Sequence, residues 1–136
     1  MNPRAVVDEL LEEALRKNRV LQIYATGESM RPFIRPRDPI WIASCSFEDI
    51  KPGDILFMKR ENGFRIHRFY RYDFAEKGFP PRLITKGDAI REFDPPCEAH
   101  AVLAKVVACG TGIRKWVWQF LNWGKGLYVR INWTLP

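Results

Sequence analysis

Residues 53–72 read GDILFMKRENGFRIHRFYRY, and the reading of this stretch decides the fold. Two apolar-rich runs flank Asn62-Gly63, a pair that tolerates the positive φ of a tight hairpin turn. The first run follows a turn cluster, EDIKPGD at 48–54, and the second returns as FRIHRFYRY. Strand alternation puts Phe64, Ile66, Arg68 and Tyr70 on one face, with Arg65, His67, Phe69 and Arg71 on the other. A hairpin of this length predicts an antiparallel sheet.

Working outward, more short strands appear. VLQIYAT (20–26) and PIWIAS (39–44) precede the hairpin, separated by the proline-rich RPFIRPRDP. PRLITKGD (81–88) and AHAVLAKVVACG (99–110) follow it. Each run is bounded by Gly, Pro or Asp, the punctuation expected of strands. No repeat or linker interrupts them, which predicts one mainly β domain over 1–136, with a β core at 20–110. The flanks differ. In PRAVVDELLEEALRK (3–17), Val6, Val7, Leu10, Leu11, Ala14 and Leu15 recur at helical spacing, so 1–19 is expected to hold an amphipathic helix docked on the sheet. In the tail, 111–136, Ile113, Trp116, Val117, Phe120, Leu121 and Trp123 fall within an arc of roughly 160° on a helical wheel. A Trp-rich helix with Lys and Arg suits a lipid headgroup layer and equally suits packing on its own domain.

Composition narrows the class. The chain has 136 residues, 46% apolar and 28% charged, which is globular rather than disordered. Lys and Arg outnumber Asp and Glu by 22 to 16, a net +6; that charge fits an anionic partner or simply a basic solvated surface. The three cysteines, Cys45, Cys97 and Cys109, are too few and too widely spaced for a disulfide framework. Cys97 and His100 in CEAH have a metal-like interval but supply only two of the four ligands a structural zinc needs, so no metal or cofactor is expected. No run approaches the roughly 20 apolar residues of a membrane span, and DELLEEALRK occupies the place of a signal-peptide core. A cytoplasmic or peripheral-membrane location is the expectation.

Chemistry requires a nucleophile with a base. Ser29 lies in TGESMRPFI (26–34) just after a strand. A serine hydroxyl is a weak nucleophile until a base takes its proton. The chain has two histidines: His100, at the start of an apolar strand, reads as structural, while His67, mid-strand, can be aimed at one point. TKGDAIREFDPP (85–96) then presents Asp88 and Asp94 in turns, and a catalytic imidazole needs such an acceptor for its second ring N–H. Taken singly, each of these residues also has an ordinary structural use.

In order and spacing, GESM, GDI, IHR and KGD with a later Asp resemble the signal peptidase I family of serine proteases, over about Leu21 to Val107. The His-Arg pair and the Lys-Gly-Asp with a second Asp six residues on are similar to its archaeal and endoplasmic-reticulum branch. The resemblance implies a compact, mostly antiparallel signal-peptidase/LexA-like β fold. It implies Ser29 as nucleophile, His67 as general base and Asp94 as the orienting carboxylate, with Asp88 holding the site or assisting His67. Gly53-Asp54 would be a structural turn, and Met30 would pack beneath the nucleophile. The first oxyanion donor would be the Ser29 backbone N–H. The family's side-chain donor is missing because Gly27 stands two residues before Ser29, leaving Thr26 or a backbone N–H. The substrate would be a precursor peptide or protein, bound as an added strand and cut after small residues at −1 and −3. Where the family usually has a membrane-spanning helix this sequence has the charged helix 3–17, so either the protein is soluble and cuts a small precursor or it meets the bilayer through the Trp-rich tail.

Two other classes compete. A LexA-type self-cleaving regulator calls for a lysine base and an N-terminal DNA-binding domain, for which about 25 residues is too short. A non-catalytic basic module would use Arg65, Arg68, Arg71, Phe69, Tyr70 and Tyr72 as interleaved charge and aromatics on nucleic acid or lipid; nucleic acid is the less expected partner.

Overall fold

The computed structural model describes residues 2–61, 63–74 and 77–111. The expected Trp-rich helix falls outside these residues. Six strands, β1 (Val20–Tyr24), β2 (Pro39–Ala43), β3 (Ile55–Arg60), β4 (Gly63–Asp73), β5 (Arg82–Lys86) and β6 (Val102–Cys109), form one antiparallel sheet in the order β1-β2-β6-β3-β4-β5. One helix, α1 (Pro3–Arg16), precedes them. The mainly β, antiparallel expectation therefore holds for the described residues. Among them, no helix is long and apolar enough to cross a membrane.

The β3–β4 hairpin pairs Arg60 with Gly63. Gly63 is thus already a strand residue, at φ +128°, one position earlier than the expected Asn62-Gly63 turn. Strict alternation along β4 also fails at one place. A register shift between Phe69 and Arg71 inserts an extra residue against β5, and a bulge reverses the parity beyond it. Tyr72 consequently joins Phe69, ring centroids 4.8 Å apart, where simple alternation separates them.

The sheet is apolar on both faces at its centre. Ile55 and Phe57 of β3 join a cluster with Ile40, Ile42, Ala104 and Val106, while Leu56 and Met58 join Phe69, Leu83 and Cys97. Helix α1 starts at Asn2, whose side chain accepts from the Arg4 N–H at 3.1 Å. Its C-terminal end is anchored by buried Leu15, and Glu12 bonds Lys59 on β3. The expected docking is only half realised, because Val7 and Leu10 are each 60% exposed.

The two ends of the sheet approach one another. Ser29 follows edge strand β1, whereas Gly87–Pro96 follows edge strand β5, yet the Ala89 N–H donates to the Ser29 carbonyl at 2.8 Å. That bond closes the sheet around a groove of about 480 Å³ lined from β1 by Ile23 and Tyr24 and from β4 by Phe64, Arg65 and Ile66. Among the described residues, β1 pairs only with β2, and β5 pairs only with the second half of β4, Arg68–Asp73. Two strand edges without a partner among those residues, β1 and the first half of β4, therefore line the groove.

Candidate active site

Ser29, His67 and Asp94 converge at one end of this groove. The Ser29 Oγ lies 3.1 Å from His67 Nε2, and His67 Nδ1 lies 2.5 Å from Asp94 Oδ2. A carboxylate can only accept, so Nδ1 carries the ring proton and Nε2 is left to accept from the Ser29 hydroxyl. His67 is buried, while Ser29 is half-buried and opens to the groove. This places a base against a hydroxyl and an orienting acid behind the base.

Asp94 is itself held. Its backbone N–H donates to the Thr85 carbonyl at 2.9 Å, and the Thr85 hydroxyl donates to Asp94 Oδ2 at 2.8 Å. Arg65 NH1 stands 3.5 Å from the other carboxylate oxygen. Thr85, fully buried, was not distinguishable from any other strand threonine by sequence. Its place beside β4 comes from the Phe69↔Thr85 pairing, which no local signal encodes.

Asp88 does not reach the histidine. Its two oxygens take Arg68 Nε at 2.9 Å and NH2 at 2.8 Å, a fork geometry. The third arm of Arg68 donates to the Gly53 carbonyl at 2.8 Å, and its guanidinium lies over the Phe33 ring at 5.0 Å. The bond to Asp88 pushes the Arg68 pKa further above its ordinary value, against the opposing effect of burial. GDI, the Arg of IHR and the Asp of KGD are thus tied by a single guanidinium. No hydrogen bond joins Asp88 to the imidazole; both of its oxygens serve Arg68.

Gly87 is the other residue that sequence reading passed over. A Cβ on it would stand 2.7 Å from the Ser29 carbonyl and 3.1 Å from His67 Nε2. The Ser29 loop and the imidazole both pack on this bare backbone, and only glycine leaves room. Met30 is buried in the core beneath the serine, as expected. Gly27 takes φ +77° with open space around it, and Thr26 is exposed; both line the groove. Among the described residues no backbone carbonyl takes up the Ser29 N–H.

No protein-family model matches the chain, and no curated protein matches its sequence.

The remaining sequence candidates lie elsewhere. Cys97 is buried, its Sγ 3.7 Å from Met58 Sδ, whereas His100 is exposed on a short 3-10 turn, Ala99–Ala101. Among the described residues no three His, Cys, Asp or Glu side chains gather as a metal site. All three cysteines are free thiols. Burial, the largest influence, pushes the Cys45 thiol up to about 11, and burial also raises Cys97. Neither has the electropositive, lowered-pKa setting of a reactive cysteine.

Proposed function

We propose that the chain is a serine endopeptidase that cuts an extended precursor peptide, removing a leader or signal segment. The observation that carries this reading is the unbroken path Ser29–His67–Asp94, opening on a groove lined by two strand edges that have no partner among the described residues. A peptide entering the groove pairs its backbone with one of these edges, which brings a scissile carbonyl alongside Ser29. The Ser29 Oγ attacks that carbon as its proton passes to His67 Nε2. Asp94 stabilises the resulting imidazolium, and the Ser29 N–H donates to the oxyanion. The imidazolium then gives its proton to the departing amine. Water, deprotonated by the same nitrogen, releases the acyl group and restores the serine.

The competing classes have less support. Among the described residues lining the groove there is no lysine, the base a self-cleaving LexA-type regulator would use. Of the three arginines that a nucleic-acid face would need, Arg65 and Arg68 are already paired with Asp94 and Asp88.

The test is covalent labelling of Ser29 by a fluorophosphonate, read by mass spectrometry, together with cleavage of a peptide library. Ser29→Ala abolishes labelling, and Ser29→Ala and His67→Ala each lower kcat by roughly a thousandfold or more. Full peptidase activity in both variants overturns the proposal.

A further inference from the structure

Helix α1 meets the groove along one stripe. Arg4, Val7, Asp8 and Leu11 all line it, at the i, i+3, i+4, i+7 spacing of a single helix face. One turn further on, Leu15 is 2% exposed; Leu11 packs partly buried on the same cluster; Val7 is 60% exposed. The stripe passes from core to open wall within about two turns. The helix is nonetheless fixed there. The Arg4 guanidinium lies against Gly63 at the start of β4, and Glu12 is bonded to Lys59 at 2.5 Å. Across the groove stand Ile23 of β1 and Phe64 and Ile66 of β4. A strand bound to either edge therefore runs past a wall contributed by α1, in which Val7 and Leu11 are the apolar members and Arg4 and Asp8 the charged ones.

We infer that α1 is a specificity element: Val7 and Leu11 select peptides carrying a bulky apolar side chain at a fixed distance from the cleaved bond. His67 and Phe64 are three residues apart, so an extended peptide alongside β4 reaches this seat roughly three or four residues from the bond. The inference rests on the endopeptidase reading and adds an apolar requirement beyond the small residues next to the cut. Burial of one such side chain against Val7 and Leu11 favours the matching peptide by roughly ten- to a hundredfold.

The experiment profiles a randomised peptide library with the full chain and with Val7→Asp and Val7→Arg, identifying cut positions by mass spectrometry. Val7 is exposed, so both variants keep the fold, and equal rates of fluorophosphonate labelling at Ser29 verify an intact centre. Wild type enriches Leu, Ile or Phe at one position. Val7→Asp loses that preference by roughly tenfold and gains Lys and Arg there, whereas Val7→Arg gains Asp and Glu. Variants that cut with the wild-type profile overturn the specificity role and leave the endopeptidase reading standing. A wild-type chain that neither labels at Ser29 nor cuts the library overturns the endopeptidase reading, and this inference with it.

Discussion

Thr85 and His67 meet on a single atom: the threonine hydroxyl at 2.8 Å and the ring Nδ1 at 2.5 Å both donate to Asp94 Oδ2. The carboxylate is pinned from two directions, and the imidazole inherits its orientation. On the endopeptidase reading, Thr85 acts through Asp94 and is a positioning residue. Thr85→Val keeps the volume and removes one hydrogen bond to a charged group. It lowers kcat by roughly ten- to a hundredfold with little change in KM, and Thr85→Ser restores most of the loss. Steady-state kinetics on all three forms checks this; a valine variant with wild-type kcat refutes it.

Gly87→Ala tests the close packing of the site. The new Cβ has to displace the Ser29 carbonyl, which is backbone and cannot swing aside. A displacement approaching 1 Å costs kcat on the order of a hundredfold. The folded chain survives, since the clash is confined to a loop. Fluorophosphonate labelling slows in parallel, and thermal unfolding shifts by only a few degrees.

The Arg68–Asp88 fork is expected to matter for stability before chemistry. Asp88→Asn leaves a half-buried guanidinium short of its carboxylate. With side chains 23% and 16% exposed, the loss is roughly 2 kcal/mol, below that of a fully buried pair. The denaturation midpoint falls, while kcat measured in the cold stays within a few-fold of wild type. An unchanged midpoint would mean that the fork contributes nothing measurable.

Alkaline conditions probe Cys45. Its pKa is raised from 9.0 to about 11 in the folded chain, chiefly by burial. Between those values the unfolded chain has lost the thiol proton and the folded chain retains it, so stability falls as pH rises. The contribution is complete below about 9 and gone above about 11. Tyr72, also raised chiefly by burial, acts in the same direction. Denaturant titrations from pH 8 to 11 reveal the slope, and Cys45→Ala flattens it. The thiol also reacts slowly with iodoacetamide near neutral pH until the chain is unfolded.

The strands were legible because their signals are local: Asn62-Gly63 marks a hairpin whatever surrounds it. Ser29, His67 and Asp94 each have an ordinary structural use when taken singly and stood out only through the order and spacing of GESM, GDI, IHR and KGD with its later Asp. What stayed hidden depends on pairing. Tyr72 changes face because of one inserted residue between Phe69 and Arg71. Thr85 becomes relevant only when β5 lies beside β4. Gly87 reads as a turn glycine until Ser29, 58 positions earlier, is folded onto it. Asp88 reads equally as a prop of the site or an assistant to His67 until Arg68 claims both of its oxygens. The apolar pattern of 3–17 predicted the helix correctly, but it carried no sign that Val7 would stand over a groove.

The exposed edges of β1 and β4 bear on how the chain stays apart from its own copies. An unpaired strand is a template for edge-to-edge aggregation, and a groove that admits peptides cannot blunt its edges with proline or bulges. Here both edges line one groove, and α1 lines it with them. On the endopeptidase reading these edges have to stay open to a substrate strand, so α1 is the element left to hinder a second sheet from pairing with them.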